Sequence, residues 1–131
     1  MYLYHGVRIL KKTLTLKKIF QEHFGGYHYN DTFIRCFSHT HLVGAGIVDY
    51  GNIGVMPISK PLNSYLLQNY NFKSKFTHDK EIAKPHFYNV HLHDWNVDVE
   101  LTSTQFVGLH RYKFNQQNSP KIVLFYVRFV F

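Results

Sequence analysis

Phe87–Phe114, FYNVHLHDWNVDVELTSTQFVGLHRYKF, is the stretch whose pattern decides the fold. Val97, Val99 and Leu101 fall on one face, and Asp98, Glu100 and Thr102 on the other. A period of two is that of a strand with one side buried and one side wet. Phe87–Leu92 reads as the strand before it, and His93-Asp94-Trp95-Asn96 turns the chain between them. Phe106–Phe114, reached through Ser103-Thr104-Gln105, reads as the third. Three strands joined by short turns predict an antiparallel sheet.

Working outward, Asn115–Pro120 is a turn cluster and Lys121–Phe131 a last hydrophobic strand. On the other side, Asp79–Pro85 reads as a charged turn closed by proline, and Phe72–His78 as a strand. Lys60–Asn71 is polar and turn-rich, a surface connection with one short apolar patch at Tyr65–Leu67. Before it, Gly26–Pro57 holds an aromatic-histidine turn (Tyr27, His28, Tyr29, Asn30, Asp31), a strand at Thr32–Phe37 and a second apolar run at Ile53–Met56. Between those strands lie Ser38-His39-Thr40-His41, the small residues Gly44-Ala45-Gly46, and the turn Asp49-Tyr50-Gly51-Asn52. Polar groups at the bends of a β scaffold are how such folds present chemistry to a ligand. Met1–Phe20 fits a helical face loosely and a strand equally well, so its structure stays open between the two. The whole predicts an all-β antiparallel sandwich.

At 131 residues the chain fits one modest domain with a real core. Its formal charge of +7 could suit nucleic acid or anionic lipid. Five of the fifteen basic residues (Arg8, Lys11, Lys12, Lys17, Lys18) lie within the first eighteen positions, and the other ten are scattered. That is a basic arm over 1–20 rather than a binding stripe, and no nucleic-acid partner is expected. No run reaches the roughly eighteen apolar residues of a membrane span. Basic residues lie among the apolar ones of Met1–Phe20 and no small-residue cleavage site follows, so no secretory signal is read there.

Cys36 is the only cysteine, which excludes a disulfide within the chain and a zinc site of paired cysteines. In a strand it reads as a small buried hydrophobe. Ser38 has no nucleophile elbow around it. Among ten histidines, His39/His41 and His91/His93 are pairs at i, i+2, which place both rings on one strand face. Such a pair holds zinc or copper when a third ligand arrives from elsewhere. The plainer alternative has one ring packed and hydrogen-bonded and the other exposed. The eight acids sit mostly in predicted turns or on wet faces, where a solvated carboxylate is the default. Asn30-Asp31-Thr32 matches a glycosylation acceptor triplet, but such triplets arise often by chance, and the preferred reading is an Asx turn opening the next strand. Trp95 can stack on a sugar face or cap the sandwich edge.

The words Gly26-Tyr27-His28-Tyr29 with Asp31, Phe37-Ser38-His39-Thr40-His41-Leu42, Gly44 and Gly46, Asp49-Tyr50-Gly51 and Met56-Pro57 carry a resemblance. So does a second block, Phe76 to His78, Lys84-Pro85, Val99-Glu100-Leu101-Thr102 and His110-Arg111-Tyr112. Over roughly residues 25–123 the chain resembles the N-terminal domain of glycoside hydrolase family 92, the calcium-dependent exo-acting α-mannosidases. The glycine- and histidine-rich first strand of that family is not matched in Met1–Phe20.

The resemblance implies that residues 21–131 are part of a larger supersandwich domain, whose full-length enzyme cleaves α-mannosides of N-glycans with inversion. It implies a helical catalytic domain as partner, with the catalytic acids and calcium ligands on that domain and none of them, nor any cofactor, in this chain. It implies that His39, His41 and Asp49 lie at the rim of a mannose pocket, and that the chain alone is inactive. Members of the family are mostly secreted or extracytoplasmic. The alternative is a non-catalytic carbohydrate-binding or interaction module, or the relic of a truncated gene.

Overall fold

In the computed structural model, residues 2–3, 7–11, 29–38, 53–69, 71–115 and 119–126 are described, of which 2–3, 7–11 and 68–69 by their backbone alone. They form two antiparallel sheets packed face to face, the expected all-β sandwich.

Sheet B is the segment that decided the fold. Its strands are β6 (Glu81–Lys84), β7 (Phe87–Leu92), β8 (Val97–Ser103) and β9 (Gly108–Phe114), in the order β6-β7-β8-β9. Val97, Val99 and Leu101 are fully or almost fully buried, as are Tyr88, Val90 and Leu92 on β7. Each apolar side chain removed from water contributes about 1.5–3 kcal/mol, which is why the alternation sets the register. Val90 lies opposite Val99 and Tyr88 opposite Leu101. The turn between β7 and β8 carries Asn96 at φ 50°, a left-handed conformation that asparagine adopts more readily than most residues.

Sheet A is built from distant pieces: β1 (Tyr2–Leu3), β2 (Val7–Lys11), β3 (Phe33–Ser38), β4 (Ile53–Ile58) and β10 (Lys121–Tyr126) in that order, with the short β5 (Ser74–Lys75) beside β3. Strand β3 is a fork. One edge pairs with β2, and the other is shared by β4 at Phe37 and Ser38 and by β5 at Phe33 and Ile34. Leu10 lies opposite Cys36 while Lys11 lies opposite Ile34, so Arg35 is an extra residue, a β-bulge. The bulge resets the alternation and brings Ile34 and Phe37, three residues apart, into the core together. Cys36 and Ser38 are buried as well, so both faces of β3 are covered there. Pro57, which lacks an N–H for a ladder, lies past the two positions at which β3 pairs with β4.

Several local expectations change. Of Met1–Phe20, the pieces 2–3 and 7–11 are strands that extend sheet A. Lys60–Asn71 contains a short helix, α1 (Ser64–Asn69), because the Asn63 side chain accepts the Leu66 N–H at 2.8 Å as an N-cap and Leu66 packs onto the core. Only Ser74–Lys75 of Phe72–His78 is strand. Asp79–Pro85 is not a turn. A 3-10 turn at His78–Lys80 leads into β6, and Pro85-His86 make the hairpin to β7. The third strand begins at Gly108 rather than Phe106. No helix among the described residues is long and apolar enough to cross a membrane.

Trp95 fastens the two layers. Its Nε1 donates to the Phe72 carbonyl at 2.9 Å, its own carbonyl accepts the Ser59 hydroxyl just past β4, and the Lys60 ammonium lies 5.5 Å from its ring centre. It is 5% exposed, so the indole packs inside the sandwich rather than offering a stacking face. Nearby, Lys75 N–H donates to Asp94 Oδ2 at 2.7 Å, and His93 N–H to the Lys75 carbonyl at 3.0 Å, pinning β5 to the β7–β8 turn.

Candidate functional site

His39, His41 and Asp49, the expected pocket rim, lie outside the described residues. Their stretch joins β3, which ends at the fully buried Ser38, to β4, which starts at the exposed Ile53. What is described is the polar framework around the strands that frame it, in three groups.

The first centres on Glu81, the opening residue of β6. Its side chain is only 4% exposed, against the solvated carboxylate expected for this acid. His78 Nδ1 donates to Glu81 Oε2 at 2.5 Å, and the Tyr88 hydroxyl donates to Oε1 at 2.5 Å. His78 Nε2 meets the Tyr29 carbonyl at 2.6 Å, and the two rings stack at 4.0 Å and 5°. A carboxylate and a carbonyl both accept, so this arrangement asks both ring nitrogens to carry hydrogen. The group fixes the Tyr29–Asn30 turn that feeds β3. Sequence reasoning missed it. The signal was present in the three-residue spacing of His78 and Glu81, which a 3-10 turn brings together.

The second group runs over the outer face of sheet B. His91 Nδ1 donates to Asp98 Oδ1 at 2.5 Å, and Asn115 Nδ2 donates to Asp98 Oδ2 at 2.9 Å. Partial burial pushes the Asp98 carboxyl up, but the hydrogen bonds from Asn115 and His91 and the charges of His91 and Lys113 outweigh it, leaving it below the usual range. His91 and His93 stand 5.1 Å apart, centre to centre, at 74°. His93 Nε2 lies 3.1 Å from Thr77 Oγ1. The Thr77 hydroxyl in turn donates to Asp79 and is the main cause holding that exposed carboxyl low. Glu100 pairs with the exposed Arg111.

The third is His110 with Tyr112 on β9. Tyr112 Oη and His110 Nδ1 are 2.5 Å apart, and the His110 ring meets Phe37 of the other sheet edge-on at 6.3 Å. Burial pushes the Tyr112 phenol up, so it stays protonated. Cys36 is 1% exposed, and burial lifts its thiol to about 12, the inert hydrophobe expected.

Chemically, these groups hold the scaffold. Glu81, Asp79, Asp94, Asp98 and Glu100 are each engaged by a partner within the chain. Calcium takes six to eight oxygen ligands. Among the described residues no three His, Cys, Asp or Glu stand together to hold an ion, so the calcium implied by the resemblance does not fit them.

Residues 13–128 match the model of the glycosyl hydrolase family 92 N-terminal domain. Among solved structures, the chain is similar to a family GH92 α-mannosidase from Bacteroides thetaiotaomicron in complex with mannoimidazole. That likeness has 26% identity, a TM-score of 0.71, and covers 94% of this chain and 16% of that one. It is also similar in fold to the GH92 family glycosyl hydrolase ccman5 (24% identity, TM-score 0.68, 93% of this chain and 17% of that). A family GH92 inverting mannosidase from the same Bacteroides shares the fold at 21% identity and TM-score 0.69, over 93% of this chain and 16% of that. No curated protein matches the chain. The chain thus spans about a sixth of the length of these enzymes.

Proposed function

The chain belongs to glycosyl hydrolase family 92, within its N-terminal domain, and on that premise we propose that it serves as one wall of the mannoside pocket in an exo-acting, inverting α-mannosidase. The observation that carries this is the family match over residues 13–128, seconded by the 0.71 TM-score to an α-mannosidase. Inversion needs a general acid and a general base about 6.5–9.5 Å apart with a water between them. The described carboxylates here are engaged in scaffold contacts, which supports placing both catalytic groups, and the calcium, on a helical partner domain. The sandwich docks on that domain, and mannose-containing glycans are the substrates.

His39, His41 and Asp49 take the rim of the pocket in this proposal. Their stretch starts and ends on the two adjacent strands β3 and β4, and its glycines let a ligand approach the backbone closely.

The test is a graft of this chain into the matching segment of an intact family 92 enzyme, assayed on an aryl α-mannoside. The chain alone should turn over nothing, with or without calcium, and the graft should be active. In the graft, His41→Ala should lower kcat/KM with little change in Tm, the mark of lost transition-state binding. A graft that melts like the parent yet is inactive would defeat the pocket-wall role. A drop in Tm ahead of kcat/KM would make His41 a scaffold residue.

A further inference from the structure

We propose that His91 and His93 form a two-histidine site for a divalent transition-metal ion on the outer face of sheet B. Three observations carry it, and none depends on the pocket.

The first is placement. Phe87, Asn89 and His91 alternate with the buried Tyr88, Val90 and Leu92, so His91 faces outward, and His93 follows two residues later in the exposed turn. Both rings are reachable from solvent.

The second is separation. An imidazole nitrogen binds zinc at about 2.0–2.1 Å, so two rings on one tetrahedral ion stand roughly 5 Å apart, centre to centre. Here the distance is 5.1 Å before any ion is bound, and the rings are steeply inclined.

The third is that each ring is oriented through one nitrogen, leaving the other for a ligand. A carboxylate only accepts, so the neutral His91 ring carries its hydrogen on Nδ1 toward Asp98 and presents a lone pair at Nε2. Thr77 gives its hydroxyl hydrogen to Asp79, so its oxygen accepts from His93 Nε2 and leaves the lone pair at Nδ1. A carboxylate or hydroxyl behind a ligating histidine sets its tautomer and raises its basicity. Asp98 is held in turn by Asn115, so the support extends one residue further.

Since no third His, Cys, Asp or Glu joins them among the described residues, water completes the coordination. That makes the site an exchangeable one, suited to zinc, copper or nickel rather than to the oxygen-seeking calcium.

Zinc chloride, titrated into the 131-residue chain at pH 7.5, is the probe. Calorimetry should give one equivalent bound, lost in His91→Ala and in His93→Ala and weakened about tenfold in Asp98→Asn. In the unaltered chain, long-range proton–nitrogen spectra should show His91 Nε2 and His93 Nδ1 shifting together as zinc is added. Binding that survives either alanine variant would overturn the site. So would a shift at only one of the two nitrogens, or no binding up to about 1 mM zinc.

Discussion

Sheet B and sheet A divide the molecule into a part made locally and a part made at a distance. Every strand of sheet B pairs with its chain neighbour, through connections at Pro85-His86, 93–96 and 104–107. Sheet A instead pairs β10 with β4 and β5 with β3, across long intervals of chain. Closing such loops costs entropy before any contact is gained, so the local sheet is the natural nucleus. The outer faces differ too. Sheet B shows bonded polar pairs, His91–Asp98 and Arg111–Glu100. The β4–β10 ribbon shows Ile122, Leu124 and Tyr126, with Ile53 opposite Tyr126, all more than half exposed. Sheet B carries those pairs beside the exposed Ile82 and Leu109, whereas the β4–β10 ribbon presents a continuous apolar face of the kind that marks association.

The coupling between the layers is the first thing to break. Trp95→Ala removes the indole that joins the β7–β8 turn to the residues after β4 and should cost about 3–5 kcal/mol by urea denaturation. A loss under about 1 kcal/mol would mean that the sheets do not depend on this joint. Next, the Cys36 thiol, lifted to about 12, should react with iodoacetamide at pH 8 roughly a thousandfold more slowly than a free thiol, until sheet A opens. Fast alkylation in the folded chain would show sheet A to be far looser than its burial suggests.

Tyr88→Phe takes one donor from the buried Glu81 carboxylate and should cost about 1–3 kcal/mol. A neutral change would assign the hold on Glu81 to its other partners, His78 among them. On the exposed ribbon, Leu124→Lys should alter stability by no more than about 0.5 kcal/mol while shifting the isolated chain from oligomer to monomer in sedimentation. An unaltered chain that is already monomeric would remove the contrast between the two outer faces.

The smallest effect is acid-side. Asp98 is depressed in the folded state, so its contribution is present above its unfolded value near pH 3.9 and is lost as pH falls through the lower folded value. Its carboxyl is partly exposed, and the effect is correspondingly modest. Asp98→Asn should therefore flatten the stability curve below about pH 4 and leave its alkaline limb unchanged.

How much of this was legible beforehand follows the same division. The β7–β8 alternation is a direct record of burial, so those strands and their turn could be read residue by residue, and β9 in all but its start. β6 was missed because its charges masked a strand whose first residue, Glu81, is buried by a histidine and a tyrosine rather than by apolar neighbours. The bulge at Arg35 was invisible for a different reason. Ile34 and Phe37 share a face only because of their pairing with β2, and pairing is not written in local composition. The inward place of Trp95 likewise depends on Phe72 and Ser59, which are far away in the chain. The resemblance words reached the family, whereas the rim residues they single out, His39, His41 and Asp49, lie outside the described residues.

The tryptophan at the joint has an optical consequence. It is the only one in the chain, and the twelve phenylalanines and ten tyrosines absorb little beyond 295 nm. Light at that wavelength therefore excites a single indole, screened from water and wedged where the two layers meet. Its emission colour reports how far water reaches the joint between the sheets. The molecule carries its own gauge of whether the sandwich is shut, without a label being attached.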